Sequence, residues 1–519
     1  MAEANPKAHV VLLPSPGIGH LTPLATLAKR LVLNHDLSAT IITFSDLSSG
    51  IQQSLLSSLP NGVTSVSLPA IPLDDLPINT HIVTRLSIMI SRSVPFLRET
   101  LLALQKTRRI VAYIIDHFGG ETLSLASELG IPRYIFGTTN FFYLSFLLNL
   151  PSLYHDKPGN HNPNQVLFLP GCTPLHPKDY SRSCIDKNSK VFQWMLRHSK
   201  HHDQVDGIMV NSFEAMEGGT ARFLKERGNG KPPIFSIGPL TCDSRSDKSQ
   251  VESGLCLRWL DQQPGRSVLF IAFGSGGMLS FKQTKEMALG LEMSGQRFLW
   301  VVRKPVDADA SSAYFNHRHG KNNPLGFLPE GFVERMKEKG MVVPSWAPQE
   351  EILAHGAIGG FLSHCGWNST LESIINGVPM ITWPLYSEQP MNAVMLVEGA
   401  KVALRPTVMN NDDQVVGKEA IADVVKDLME GEGGKDVRRR MHELKEAAMK
   451  AVGANGSSNK ALAQMGSRCE IRSEINGGKR QQRLTEREVA GVGLAVGVTS
   501  SAAANRARLS ERRAEVMVE

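Results

Sequence analysis

His20 and Asp116 are the first side chains placed to do chemistry. His20 closes the segment "HVVLLPSPGIGH" and opens the helical pattern "LTPLATLAKRLV". A histidine at a helix N-terminus feels the positive end of the dipole, which predicts a lowered pKa and a neutral ring. A neutral imidazole facing a cleft is a usable general base. Asp116 ends the apolar run "RIVAYIID", at the carboxyl end of a predicted strand and on the rim where His20 belongs. A carboxylate on one imidazole nitrogen fixes the tautomer and stabilises the imidazolium that forms. Each residue also has a plainer reading. The histidine could fill a turn, and the aspartate could cap the next helix.

A second group of polar residues follows a later set of apolar runs. "FGSGG" (273–277), with Ser275 at its centre, trails a predicted strand, and its glycines let backbone N–H groups approach a ligand. "AIGGFLSH" reads as a strand and "CGWNSTLESIINGV" as a turn into a helix. His364, Asn368 and Ser369 therefore gather at a helix N-terminus, a ready anion site. Glu372 lies one turn on from Asn368, on the same face. A carboxylate there suits sugar hydroxyls better than phosphate. Trp346 follows "MVVPS" and can stack a flat ring, and Glu388 and Gln389 follow "VPMITWP". A tryptophan-rich core with surface carboxylates does not explain why polar groups recur after each strand.

The elements that must position these groups come in two sets. Strand-like runs alternate with helical patterns up to "PPIFSIGPL" (232–240), and the alternation restarts at "SVLFIAFGSGG" (267–277). Such alternation predicts α/β architecture, with parallel strands covered by helices on both faces. We read residues 1–240 as a first domain, 241–255 as a polar linker and 256–465 as a second domain. Residues 466–519 read as an atypical, disordered tail. Two such halves predict a cleft lined by the carboxyl ends of their strands.

Composition fits this reading. The chain has 519 residues, 42% hydrophobic and 20% charged, with a net charge of +6. From Gly466 onward there are ten Lys/Arg against seven Asp/Glu, so half of the excess sits in the tail and the body gives no nucleic-acid footprint. Six scattered cysteines without a CxxC pair fit a reduced, cytoplasmic protein. The N-terminus shows no signal-peptide pattern and no run approaches membrane-spanning length. Asp307 and Asp309 in "DAD", and His317 with His319, sit in a polar loop. They carry no expectation of metal.

Trp346–Gln389, with its "HCGWNSTLES", resembles the PSPG box of plant family 1 UDP-glycosyltransferases. "PSPGIGHLTPL", "VNSFEAME" and "FLPEGFVERMKEKGMVVPSWAPQ" are similar to the same family, and the likeness runs from about residue 7 to 464. "LPGCTPLHPKDY" and "NNPLGFLPEGF" look most like the phenol-glucosylating branch that contains hydroquinone glucosyltransferase. The resemblance implies a GT-B fold, with two Rossmann-like domains facing across a cleft. It also implies no metal or cofactor beyond the co-substrate UDP-glucose, and a monomer. Trp346 would stack the uracil and the Ala347 backbone would bond its edge. Gln349 and Glu372 would hold the ribose, while His364, Asn368, Ser369 and Ser275 would hold the diphosphate. The Trp367 backbone, Glu388 and Gln389 would hold the sugar, and Thr138 or Thr139 would reach sugar or phosphate. His20, assisted by Asp116, would deprotonate a phenolic hydroxyl of hydroquinone, monolignol or flavonoid type, giving a β-O-glucoside. Phe118 and Phe142, with Tyr143 and Phe146, are candidates for the acceptor pocket.

The family's last helix crosses back onto the first domain after a stretch like "SSNKALAQ". Here "MGSRCEIRSEINGGKR" departs from that pattern, which keeps a UDP-sugar-binding relative with impaired catalysis as a rival. A sugar-nucleotide epimerase is a weaker rival, because His20 and Asp116 argue against it.

Overall fold

The computed structural model describes residues 7–45, 50–77, 80–155, 165–180, 186–241, 252–305, 325–407 and 415–476. Asp307, Asp309, His317 and His319 lie outside them, as does most of the predicted linker.

The first half begins with β1 (Ala8–Leu13), α1 (Ile18–Asn34), β2 (Ser38–Phe44), α2 (Gly50–Ser57), β3 (Val63–Leu68), α3 (Ile82–Gln105) and β4 (Arg109–Ile115). It continues with α4 (Leu123–Glu128), β5 (Arg133–Gly137), α5 (Phe141–His155), α6 (Lys190–His201), β6 (Gly207–Val210), α7 (Glu214–Lys225) and β7 (Ile234–Ser236). The seven strands form one sheet in the order β3-β2-β1-β4-β5-β6-β7, and every pairing is parallel. β1 and β2 are buried along their whole length because helices cover both sheet faces. β3 has no counterpart in the sequence reading. It is an edge strand in which Leu68 alone is buried, so "VTSVSL" lacks an apolar run.

The second half runs α8 (Glu252–Leu260), β8 (Val268–Ala272), α9 (Phe281–Ser294), β9 (Arg297–Val302), α10 (Phe332–Met336), β10 (Gly340–Pro344) and α11 (Gln349–Ala354). Then come β11 (Ile358–Ser363), α12 (Trp367–Asn376), β12 (Met380–Thr382), α13 (Gln389–Val394), β13 (Ala403–Leu404), α14 (Lys418–Glu430) and α15 (Glu432–Val452). Its six-stranded parallel sheet has the order β10-β9-β8-β11-β12-β13. Helix α8 begins inside the stretch read as linker.

The strand order reverses direction between β1 and β4 in one sheet and between β8 and β11 in the other. Open α/β sheets bind ligands at such switch points, where diverging connections leave a crevice. Asp116 ends β4 and His20 follows β1, while the glycine loop 273–277 follows β8 and His364 follows β11. The two polar groups singled out in sequence therefore occupy the two crevices.

The tail reading needs correction at its start. Residues 457–476 form one helix, α16, so residues 466–476 are ordered. Leu462, Met465 and Cys469 recur at helical spacing and are buried in the same apolar cluster as residues of α1 and of the first sheet. Glu470 lies 3.5 Å from Arg109, and Arg472 lies 3.7 Å from Asp206. The charges that made this stretch look solvated face ion partners on the first sheet's side, and the apolar stripe between them supplies the packing. Residues 477–519 lie outside the described residues.

Among the described residues, Cys172, Cys256, Cys365 and Cys469 are free thiols, and no helix is long and apolar enough to cross a membrane.

Candidate active site

Helix α1 starts at a glycine turn. Gly17 has φ 118°, a conformation a side chain would strain, and the His20 N–H donates to the Gly17 carbonyl at 3.2 Å. This turn lays His20 in the first helical turn, with Nδ1 2.9 Å from Asp116 Oδ2. Asp116 is fully buried. It accepts hydrogen bonds from Ser15 N (2.7 Å), Ser15 Oγ (2.6 Å) and Phe118 N (3.0 Å). Burial opposes its ionised form, but the His20 charge and contact, His117 and the Ser15 bond outweigh that and hold the carboxyl below its usual range.

The predicted lowering of the His20 pKa is not what this geometry produces. Burial pulls the value down, but the charge and hydrogen bond of Asp116 and the charge of Glu388 raise it above 6.5. A full carboxylate at contact distance outweighs the roughly half charge of a helix end. His20 is thus a strengthened base rather than one held neutral by the dipole.

The facing wall belongs to the second sheet. Helix α12 starts at Gly366 with no side chain capping its free N–H groups. His364 lies just before it, between two glycines. A Cβ on Gly274 would sit 2.4 Å from His364 Nε2, and one on Gly366 would sit 2.3 Å away. Both glycines are therefore required by the close approach of the imidazole. Burial and the Arg303 charge push the His364 pKa down to about 4, so the ring is neutral. Arg303 donates to the carbonyls of Gly274 and of Gly277 (3.2 Å), bracing the glycine loop. Three non-glycine residues on this rim have positive φ: Ser345 (69°), Cys365 (63°) and Ser387 (59°). They follow β10, β11 and β12 in turn. Strained backbone is concentrated where the strands deliver side chains.

Gln349 Nε2 donates to Glu372 Oε2 (2.5 Å) and Ser369 Oγ (2.8 Å). Burial, reinforced by the Glu350 charge and opposed by the Gln349 bond, pushes Glu372 up to about 8. Gln389 Oε1 accepts from the N–H groups of Leu385 (2.9 Å) and Tyr386 (3.0 Å), which fixes the turn after β12.

A cavity of about 1150 Å³ separates the two walls. It is lined by His20, Phe118, Thr138, Thr139, Ser275, Trp346, Ala347 and Gln349, and by His364, Trp367, Asn368, Ser369, Glu372, Glu388 and Gln389. Asp116 stands behind His20 rather than on the surface. Phe142 is the exception among the predicted residues, since it is buried in the apolar core and does not line the cavity. Tyr143 lines it instead, because each helical residue turns by about 100° from the last. Phe146 likewise lies in the core.

Hydrogen bonds cross the cleft at its base. Trp367 Nε1 donates to Asn211 O (2.6 Å), Asn368 Nδ2 to Gly19 O (2.8 Å) and Asn140 Nδ2 to Asn392 Oδ1 (2.8 Å). Sequence reasoning missed Arg303, Tyr386, His117 and the apolar lining from Ile82, Val83, Leu86 and Met195. Arg303 had a visible signal, as a charge ending the apolar strand "RFLWVV". The apolar residues had none, because helix α3 reads as an ordinary core helix.

A family profile described as "UDP-glucoronosyl and UDP-glucosyl transferase" matches residues 235–433. The chain is 47% identical over 471 residues to hydroquinone glucosyltransferase of Rauvolfia serpentina, covering 89% of this chain and 98% of that protein. It is 45% identical over 464 residues to UDP-glycosyltransferase 72B1 of Arabidopsis thaliana, covering 89% and 96%. Among solved structures, it resembles a UDP-glucosyltransferase from Polygonum tinctorium capable of glucosylating indoxyl, bound to 3,4-dichloroaniline. The TM-score is 0.82 at 42% identity, over 90% of this chain and 100% of that one. UGT2 of Phytolacca americana, complexed with UDP-2fluoro-glucose and pterostilbene, gives a TM-score of 0.80 at 41% identity, over 89% and 100%.

Proposed function

The chain belongs to the UDP-glucuronosyl and UDP-glucosyl transferase family and has its GT-B fold, and from that premise we propose that it moves glucose from UDP-glucose to a hydroxyl of a small phenol with inversion. One observation carries this reading. A carboxylate-backed imidazole on one wall faces an uncapped helix N-terminus and a neutral imidazole on the other, across a single cavity. The first is what removal of an acceptor proton requires. The second is what a departing diphosphate requires.

His20 takes the proton from the acceptor hydroxyl, and Asp116 stabilises the imidazolium. The phenolic oxygen attacks the anomeric carbon on the face opposite UDP. The new carbon–oxygen bond forms as the bond to the diphosphate breaks, leaving a β-glucoside. The N–H groups opening α12, with His364, Asn368, Ser369 and Ser275, meet the charge on the leaving diphosphate. Trp346 stacks the uracil, whose edge meets the Ala347 backbone. Gln349 and Glu372 hold the ribose, and a Glu372 that protonates readily adds little repulsion to the phosphates. The Trp367 backbone, Glu388 and Gln389 hold the glucose, with Thr138 or Thr139 closing from the other wall. No metal ion is assigned a part, and the molecule is expected to act as a monomer.

The test is to incubate the purified chain with UDP-glucose and a panel of hydroquinone, monolignols and flavonoids, with and without EDTA. O-β-glucosides identified by NMR, formed equally in both, are expected. An EDTA-sensitive enzyme, α-linked products or an inactive protein would each overturn the reading.

A further inference from the structure

Two amides tie the walls of the cleft together. Asn140 and Asn392 are both fully buried, and Asn140 Nδ2 donates to Asn392 Oδ1 at 2.8 Å. Each amide carries a second bond. The Tyr143 N–H donates to Asn140 Oδ1 at 2.8 Å, and Asn392 Nδ2 donates to the Cys365 carbonyl at 2.9 Å. A backbone donor at one end and a backbone acceptor at the other fix the orientation of both amides. The cleft-crossing bonds of Trp367 and Asn368 end instead on backbone carbonyls.

The chain of bonds ends on working parts of both walls. On the first, Asn140 lies between Thr139 and Tyr143, which line the cavity. Glu217 accepts from the N–H groups of Phe141 (3.2 Å) and Phe142 (2.8 Å), so side chains occupy the free N–H groups that open α5. On the second, Asn392 belongs to α13, whose first residue is Gln389, and Cys365 stands between His364 and the Gly366 that opens α12. Cys365 has φ 63°, a strain that persists only where neighbours hold it, and the Asn392 bond is one such hold.

We propose, resting on the function inferred above, that Asn140 and Asn392 are positioning residues for the transfer. Their bond fixes the separation of the walls, so that the hydroxyl beside His20 meets the anomeric carbon held on the second wall. Neither amide lines the cavity, so neither touches a substrate. Each wall can bind its own ligand without the bond, but in-line attack needs both in register. A misplacement of about 1 Å costs on the order of 10²-fold in rate.

Asn140→Asp removes the donor across the cleft and keeps the acceptor for Tyr143. It is expected to lower kcat about tenfold or more, while UDP affinity by calorimetry stays within about threefold. Asn392→Leu should do the same, and the double variant should be no slower than Asn392→Leu, because both remove one shared bond. An unchanged kcat, a loss of UDP affinity as large as the loss of kcat, or additive effects would overturn the proposal. Hydrogen exchange on the full chain without substrate gives a readout independent of transfer. In Asn140→Asp, exchange is expected to quicken about threefold or more in residues 138–146 and, across the cleft, in 363–368. Quickening confined to 138–146 would mark a local packing role and overturn the inference even where transfer occurs. A wild type that glucosylates no phenol would sink the proposed function, and the exchange result would still decide whether the bond holds the walls.

Discussion

The two sheets share a strand order around their switch points, yet their crevices are electrostatic opposites. Between β1 and β4, a buried carboxylate raises the pKa of His20. Between β8 and β11, burial and Arg303 push His364 down to about 4. Both histidines follow a strand and adjoin a helix N-terminus. The topology therefore supplies the place, and the partner behind the ring sets its protonation. One crevice holds a group that can take a proton. The other holds a neutral imidazole and helix N–H groups, with Arg303 behind the glycine loop, which suit an anion.

The largest test of this contrast is removal of the base. His20→Ala is expected to lower kcat by about 10²–10⁴-fold, with UDP affinity by calorimetry nearly unchanged. An active variant would break the division of labour between the walls.

The contrast also predicts a pH profile. The proposed transfer needs neutral His20, whose folded pKa is raised above the ordinary 6.5. Activity should fall as pH drops through that raised value, and Asp116→Asn should move the acid limb of kcat/KM to lower pH as well as lowering the rate. By linkage, the protonated His20–Asp116 pair stabilises the fold fully below the ordinary value. That contribution is lost as pH rises through the folded one. UDP affinity should show no inflection that tracks the His20 acid limb, because His364, pushed down to about 4, stays neutral there, and any change belongs to Glu372, raised to about 8. An inflection in UDP binding that moves with Asp116→Asn would show the walls to be coupled.

On the other wall, Gly274→Ala would place a Cβ 2.4 Å from His364 Nε2. Its φ of 70° adds backbone strain. The imidazole must shift, and UDP affinity is expected to fall by about tenfold, on the order of 1.4 kcal/mol, with the acid limb of the pH profile unmoved. A displaced acid limb would contradict the separation.

The smallest effect on the walls themselves is expected at the seam, where the readout is stability rather than activity. Trp367→Phe removes the donor to Asn211 O and leaves that buried carbonyl unpaired, which should cost about 1–3 kcal/mol. Thermal unfolding would report it, and an unchanged Tm would mean that the 2.6 Å bond contributes nothing to holding the domains together.

Much of this was legible because the signals are local. The unit "HVVLLPSPGIGH" declares a strand, a turn and a helix start within twelve residues. "HCGWNSTLES" places an imidazole and a helix N-terminus together without help from the rest of the chain. Signals failed where the environment decides the meaning of a residue. "VTSVSL" is a strand only because β2 lies beside it, and "MGSRCEIRSEI" is a helix because its Met465 and Cys469 are buried in the first domain's apolar cluster. Phe142 and Tyr143 are adjacent aromatics. Only the rotation of α5 turns one into the core and the other into the cavity.

By itself, the sequence determined the alternating architecture, the family resemblance and which polar residues follow the strands of the second sheet, because each depends on contacts within a few turns of chain. Tertiary structure alone decided that Asp116 meets Ser15 across 101 residues and that Asn368 meets Gly19 across 349. It also decided that two histidines at similar strand ends carry opposite pKa shifts. Protonation depends on burial and on charges within a few ångströms, and those neighbours come from distant parts of the chain.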